Sequence, residues 1–295
     1  MAINNKKKGL LALLGSGLIF GSFGIWVRLL GNELTNFQQI AFRNLIALAI
    51  AILIIYFSKI SINLGKVEKK HILRFGIAFP LAVIFFTYSF LETKIVLGIF
   101  SFYVGSILSS LLIGFYFFNE KIDTKKFISL ILVCIGLLFF ILPVGLERID
   151  KGIVFGLVAG FFDAVANSYR KYLSGKMHRV LLTSIPLVGG LLIAIFLMLI
   201  NNEQIVPHVS TNGIIVGLVF GGLLFLVNYL TFVGFSNFDL NLGTIVISSE
   251  LFFASLFGYL VYKEVPLINE IYGSLLIVSA IIVSNLNLSK FSRRT

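Results

Sequence analysis

The sequence has little charge for its length. Only 13% of its 295 residues are charged, 58% are hydrophobic, and the mean hydropathy is +1.01. Soluble domains carry roughly 25% charged residues, and a compact soluble fold of this length needs far more polar surface. The composition therefore argues against a soluble enzyme and predicts an integral membrane protein.

Other features that enzymes and nucleotide-driven pumps need are also missing. The single cysteine, Cys134, allows no internal disulfide and no cysteine-rich metal cluster. His71, His178 and His208 fall in predicted loops or at span ends, so we expect no metal site. The sequence contains no Walker-type phosphate-binding motif and shows no nucleophile paired with a base. We therefore expect no cofactor, no catalytic residue and no enzymatic activity.

What the sequence does contain is a series of long apolar segments. A helix needs about 20 apolar residues to cross the hydrocarbon core, and ten segments meet this length. None alternates with the period of two that a barrel strand requires. The predicted spans are approximately 9–30, 35–57, 71–91, 95–118, 124–142, 151–173, 179–200, 212–234, 240–262 and 267–288.

Lysine and arginine predict the orientation, because they are enriched in cytoplasmic loops. With the N-terminus inside, eighteen of the 24 basic residues lie in inside segments, five lie outside, and Arg43 lies within a span. We expect a multi-pass protein of the cytoplasmic membrane with both termini in the cytoplasm and an uncleaved first span. The net charge of +11 is spread over small loops with few aromatic residues, so we expect the lipid bilayer as a partner and not nucleic acid.

The chain also shows an internal repeat. With a shift of 144 residues, the regions near 85–120 and 229–264 align; with a shift of 143, Gly17 aligns with Gly160 and Arg28 with Lys171. Residues 1–144 and 145–295 are therefore predicted to be two five-helix units. Five is odd, so the second unit enters the membrane from the opposite side. The predicted fold is an all-α integral membrane protein of ten transmembrane helices in two inverted-topology repeats, an arrangement of many secondary transporters.

Four motifs carry a resemblance to a known family. They are Phe20-Gly-Ser-Phe-Gly-Ile-Trp26, Phe42-Arg43-Asn44, Gly114-Phe-Tyr-Phe-Phe-Asn-Glu120 and Gly258-Tyr-Leu-Val-Tyr-Lys-Glu264. Together with ten spans and a duplication, the chain resembles the EamA-type ten-helix branch of the drug/metabolite transporter superfamily. Where the family often has proline in spans four and nine, this chain has Ser106 and Glu250. The resemblance implies a cavity lined by spans one, three, four, six, eight and nine, and peripheral spans five and ten that offer a homodimer contact.

Three charged side chains lie well inside predicted spans and attract attention: Arg43, Asp163 and Glu250. Such a charge costs roughly 2.5–3.5 kcal/mol at mid-helix on insertion scales, so each must face water, pair or lose its charge. Glu250 is expected to bind a substrate amine or a coupled proton, or else to bond a neighbouring helix. Asp163 lines the cavity or clamps two helices, with Arg43 as one candidate partner. Arg43 is expected to form an ion pair or a gate, with substrate contact as the alternative.

Neutral polar and aromatic residues extend this set. On span four, Tyr103, Ser106 and Ser110 form one stripe that either lines the cavity or bonds its own backbone. Asn167 lies one turn from Asp163, and Asn228 lies within span eight; both are expected to bind substrate or to bridge helices. The aromatic residues that could line the pocket, or simply pack, are Trp26, Tyr88 and Tyr229.

Other residues are expected to serve structure or gating. Pro80 and Pro186 lie inside spans three and seven and predict a pivot or a static bend. Glu120 and Glu264 end spans four and nine, where we expect capping or links between helices rather than substrate contact.

These features predict a secondary transporter of a small polar metabolite, with alternating access around a midplane cavity. The resemblance favours an amino acid or related compound, exported or imported. An anionic metabolite such as a nucleotide sugar remains an alternative, although it should require several cavity lysines or arginines. A membrane enzyme or structural protein is the alternative outside transport.

Overall fold

The computed structural model describes residues 2–61, 67–92, 95–121, 123–141, 151–263, 265 and 267–285. This part of the chain folds into twelve helices and forms no strand. The helices are α1 (Ala2–Gly21), α2 (Phe23–Gly31), α3 (Asn36–Phe57), α4 (Lys69–Glu92), α5 (Ile95–Phe118), α6 (Thr124–Ile141), α7 (Lys151–Leu173), α8 (Arg179–Ile200), α9 (Thr211–Asn237), α10 (Leu240–Ile247), α11 (Glu250–Tyr262) and α12 (Ile268–Asn285).

Two of the ten predicted spans are broken into two helices each. Span one breaks at Ser22, whose hydroxyl donates to the Ile19 carbonyl at 2.7 Å. Span nine breaks at Ser248 and Ser249, and the Ser248 hydroxyl donates to the Ile245 carbonyl at 2.7 Å. Serine hydroxyls that bond nearby carbonyls compete with regular helix bonds. The second break places Glu250 at the first residue of α11 instead of in the middle of a continuous helix.

Eight spans of the described chain are long and apolar enough to cross a membrane, counting α1 with α2 and α10 with α11 as one span each. The remaining two spans are α6 and α12, which pack more extensively on each other than on any other helix. The family resemblance led us to expect these two spans, five and ten, at the periphery of the bundle.

The polar contacts between loops agree with ten crossings. Counting crossings along the chain places Glu33 and Ser210 at one face of the bundle, and Glu120 and Asp239 at the other. The side chain of Glu33 accepts hydrogen bonds from Ser210. Lys126, in the first turn of α6 and therefore at the same face as Glu120, pairs with Asp239 at 2.6 Å. We refer to these ends as the Glu33 face and the Glu120 face.

The helices of the two halves of the chain pack on each other. The most extensive contacts join α5 with α7, α4 with α7, α6 with α12, α3 with α8 and α1 with α9. Each half therefore completes its packing with helices of the other half. Pro80 in α4 and Pro186 in α8 are both buried, and Gly189 brings α8 against Gly76 and Pro80.

Two glycines, at positions related by the repeat, allow close approaches between helices. A Cβ at Gly160 of α7 would clash with the α5 backbone at Phe102 and Ser106. A Cβ at Gly17 of α1 would clash with the Ser249 side chain and lie 3.3 Å from the Glu250 nitrogen. Small residues let membrane helices approach backbone to backbone. The sequence alignment of Gly17 with Gly160 is therefore matched by equivalent contacts in the fold.

We predict that Gly160→Ala destabilises the protein, because its methyl group has no room against the α5 backbone. Overpacking typically costs about 1–3 kcal/mol, which should appear as a lower melting temperature in detergent. The control is Gly24→Ala, since a Cβ there meets nothing within 4 Å. Equal melting temperatures for the two variants would contradict the close contact between α5 and α7.

Candidate functional site

A chain of polar side chains crosses the apolar interior of the bundle. It starts at Glu250, the first residue of α11, which accepts a short hydrogen bond from the Tyr103 hydroxyl on α5. Tyr103 is 2% exposed, so this contact lies inside the bundle. The bond joins the fourth span of the first half to the ninth span.

The chain continues at Asp163 on α7. One oxygen of this carboxylate, Oδ2, accepts from the Ser106 hydroxyl at 2.8 Å and from the Asn167 amide at 3.0 Å. The carboxyl groups of Asp163 and Glu250 are close enough to interact electrostatically. Tyr103 and Ser106 are three residues apart on one face of α5 and supply one donor to each carboxylate. The two carboxylates therefore belong to one site.

A guanidinium group closes the chain. Arg170 donates one bond to the Asn167 side-chain oxygen and a second to the Asn228 side-chain oxygen on α9 at 3.1 Å. The Asn228 amide donates in turn to the Leu224 carbonyl at 3.0 Å. The guanidinium lies over the ring of Phe79 at 4.9 Å from the centroid. We call these seven residues the polar cluster: Tyr103, Ser106, Asp163, Asn167, Arg170, Asn228 and Glu250.

Burial differs within the polar cluster. Ser106, Asn167, Arg170 and Asn228 are buried, whereas Asp163 and Glu250 keep some accessible surface. The two carboxylate residues are thus less completely buried than the groups that surround them. This arrangement can bind a cationic group such as an ammonium ion.

Arg170 is one of the eighteen basic residues that the sequence assigns to the cytoplasmic side, and the structure adds that it is buried. It is 2% exposed and lies within α7, seven residues after Asp163. Its spacing from Asp163 and Asn167 puts all three on one helical face. Thr244 was missed by the sequence analysis; its hydroxyl lies 2.9 Å from that of Ser110, which links α5 to α10.

Several predicted site residues lie apart from the polar cluster. Arg43 forms no ion pair with Asp163 among the described residues; its guanidinium lies 4.9 Å from the Phe220 ring centroid. The Trp26 indole donates to Ser22 at 3.2 Å. The two predicted tyrosines contact phenylalanines: Tyr88 packs against Phe155 with the rings tilted by 43°, and Tyr229 stacks on Phe225.

Glu120 forms the main polar contact at its face of the bundle. Its buried carboxylate accepts the Leu240 N–H at 2.6 Å and the Asn241 N–H at 3.3 Å, and pairs with Lys171 at 2.5 Å. A carboxylate at a helix N-terminus satisfies free N–H groups. Glu120 therefore links α5 to α7 and α10, in the capping role that the sequence predicted; Glu264 lies outside the described residues.

The two faces carry equivalent contacts between a cation and a ring. Lys171 lies 5.0 Å from the Phe118 ring centroid at the Glu120 face, and Arg28 lies 4.7 Å from that of Tyr262 at the Glu33 face. These are the positions that the repeat shifts of 143 and 144 residues relate. In each case a first helix of one half contacts the fourth span of the other half.

Glu33 joins two loops at the opposite face. Ser210 donates to it through its hydroxyl at 2.6 Å and its N–H at 2.7 Å, and both bonds lower the pKa of Glu33 below its ordinary value of 4.5. Thr35 donates to Glu203 at 2.5 Å in the same region. These bonds connect the loop before α3 to the loop before α9.

Comparison with known proteins gives the class of this molecule. The sequence profile of the EamA-like transporter family matches residues 7–142 and again residues 150–286. The chain belongs to this family and is a multi-pass membrane transporter of the drug/metabolite superfamily. Both matches together cover nearly the whole chain, so the family unit occurs twice.

The fold has relatives among solved structures. One of them, described only as the crystal structure of a protein, superimposes with a TM-score of 0.79 at 13% sequence identity, over 98% of this chain and 99% of that one. At this identity the likeness concerns the fold alone. No curated protein sequence matches the chain.

We predict that Glu120→Ala lowers the free energy of unfolding by about 2–3 kcal/mol, because it leaves the Lys171 charge and two helix N–H groups unpaired. The measurement is the melting temperature in detergent. Glu68→Ala is the control, since Glu68 pairs with Lys70 on the exposed surface, where such pairs contribute about 0–1 kcal/mol. Equal effects of the two substitutions would contradict the role of Glu120.

We also predict a pH effect at Glu33. Because its pKa is lowered in the fold, its contribution to stability is present above pH 4.5, the ordinary value, and is lost as pH falls through the lowered value. The melting temperature of Glu33→Gln should therefore fall less than that of the wild type between pH 6 and pH 3. Parallel curves for both proteins would show that the Ser210 bonds do not stabilise this face.

Proposed function

We propose that the protein is a secondary transporter that moves a small polar metabolite, an amino acid or related compound, across the cytoplasmic membrane. The observation that carries the proposal is the polar cluster, which joins α5, α7, α9 and α11 inside an otherwise apolar bundle. Intramembrane ionisable groups mark substrate or ion pathways by default. The excess of carboxylates over guanidinium groups in the cluster supports a substrate that carries an ammonium group.

The transport cycle that we propose is alternating access around the cluster. It rests on two inverted five-helix units, residues 1–144 and 145–295. Support comes from the equivalent contacts of Gly17 and Gly160, and of Arg28 and Lys171, which lie at opposite ends of the bundle. Two equivalent halves can exchange conformations, so that one central site faces each side in turn.

The proposed orientation places the Glu120 face in the cytoplasm, with both termini on that side. The excess of lysine and arginine in its loops supports this assignment. Helices α6 and α12 pair with each other, and we place a homodimer contact on their outward surface.

An anionic metabolite is the second candidate, and Arg170 is the observation that favours it. The guanidinium lies buried within the cluster, whereas the sequence analysis had singled out only Arg43 as a cation within a span. The cluster nevertheless holds two carboxylates for one guanidinium. This excess of negative charge favours a substrate that carries an ammonium group over a purely anionic one.

We predict that Glu250→Gln reduces counterflow of a labelled amino acid in proteoliposomes at least about tenfold, because an amide cannot neutralise an ammonium group or carry a proton. The panel contains the twenty standard amino acids. The control is Glu68→Gln, the same change on an exposed side chain, which should transport as the wild type does. Unchanged rates and pH dependence in Glu250→Gln would remove Glu250 from the mechanism.

The same assay tests the second carboxylate. Asp163→Ala and Asn167→Ala should raise the KM for the transported amino acid. The first substitution removes the carboxylate, and the second removes an amide that donates a hydrogen bond to it. Ser279→Ala on α12 is the control, because Ser279 only bonds its own backbone at 2.8 Å. Lower melting temperatures with unchanged KM would make these residues structural, and absence of counterflow by the wild type across the panel would contradict the proposed function.

A further inference from the structure

Arg170 is buried more completely than any other charge of the polar cluster. It is 2% exposed and ranks among the largest fully buried side chains of the described chain. A charged group inside the membrane is expensive unless it is paired. A buried guanidinium therefore needs partners, and the identity of those partners shows what it is suited to bind.

The partners of Arg170 are neutral. Its two described hydrogen bonds end on amide oxygens, those of Asn167 and Asn228. The rings of Phe79 and Phe75 lie 4.9 and 5.9 Å from the guanidinium carbon. Among the described residues no carboxylate forms a salt bridge with it; Asp163 attracts it electrostatically and is linked to it by hydrogen bonds through the Asn167 amide. The guanidinium is thus held by neutral hydrogen-bond acceptors, with a carboxylate nearby but not in direct contact.

One donor of Arg170 is also unused. The Nε–H group is buried and has no hydrogen-bond partner. A buried donor without a partner is costly, and guanidinium groups bind carboxylates through two parallel bonds. A guanidinium that has an unpartnered Nε–H and bonds only neutral acceptors is suited to bind an anionic group of a ligand.

We propose that Arg170 is a specificity-determining residue that binds the carboxylate of the substrate, while Glu250 binds its ammonium group. This inference rests on the proposed transport function and adds the residue that distinguishes an amino acid from an amine. Asn167 and Asn228 hold the guanidinium from two helices, α7 and α9. Asp163 keeps its own donors, Ser106 and Asn167, and adds to the negative potential near the ammonium group.

Arg43 provides a matched comparison. It is also a guanidinium within a span, it also has an unpartnered Nε–H, and it also lies 4.9 Å from a phenylalanine ring centroid. No described hydrogen bond connects it to the polar cluster. If substrate recognition requires Arg170 but not Arg43, the position of the guanidinium in the bundle decides, because the chemistry of the two groups is the same.

The test measures discrimination between compounds by the reconstituted protein. For each amino acid that the wild type transports, counterflow is competed with that amino acid, with the amine lacking its carboxyl group and with the acid lacking its amino group. The wild type should prefer the amino acid over the amine by at least about tenfold. Arg170→Gln and Arg170→Lys should weaken competition by the amino acid and the acid while leaving that by the amine nearly unchanged. Arg43→Gln should keep the wild-type preference.

Each other outcome overturns the inference. If Arg170→Gln and Arg170→Lys keep the wild-type preference for amino acid over amine, the carboxylate is bound elsewhere, although the proposed function stands. If both variants fail to fold, as judged by gel filtration and melting temperature, Arg170 is structural. If the wild type itself transports none of the amino acids, the proposed function fails together with this inference.

Discussion

The constraint on which this structure depends is the cost of placing charge in an apolar bundle. Asp163, Arg170 and Glu250 lie within helices that are apolar enough to cross a membrane. At roughly 2.5–3.5 kcal/mol each on insertion scales, three unpaired charges would rival the whole net stability of about 5–15 kcal/mol. The fold meets this cost with hydrogen bonds from α5 and α9. The carboxylates keep some accessible surface, and the neutral donors that hold them do not.

The exchange of helices between the two halves brings these groups together. Tyr103 and Ser106 belong to the first half, whereas Asp163 and Glu250 belong to the second, so neither half could build the cluster alone. Close contacts at Gly17 and Gly160 set the spacing, because a side chain at either position would separate the helices. At the two faces, Lys171 and Arg28 contact rings of the opposite half. The same contacts that hold the bundle thus position the site.

Much of the fold could be predicted from the sequence because hydrophobic length is a strong signal. The span limits agree with the helices within a few residues over most of the chain, and the duplication is confirmed by two matches to one family. The helix breaks at Ser22 and at Ser248 could not be predicted, since both depend on local hydrogen bonds that leave hydropathy unchanged. Glu250 therefore lies at the start of a helix, which no hydropathy pattern indicates.

The site was only partly predictable for a related reason. Asp163, Glu250 and their donors stand out because polar residues are rare in apolar spans. The burial of Arg170 could not be predicted, because its place near a span end is typical of cytoplasmic cations, and residues of α4 and α9 cover it in the fold. Which guanidinium joins the carboxylates, Arg170 or Arg43, depends on contacts between distant segments. Such contacts are set by tertiary packing, on which a single sequence carries little information.

A structure of the protein with a transported metabolite bound tests the central claim most directly. The account predicts ligand density between α5, α7 and α11, with an amine within hydrogen-bond distance of Glu250 or Asp163. Density in the crevice at the Glu120 face, lined by Ser58, Lys176 and His178 among others, with the bonds of Tyr103 and Ser106 to the carboxylates intact, would contradict it.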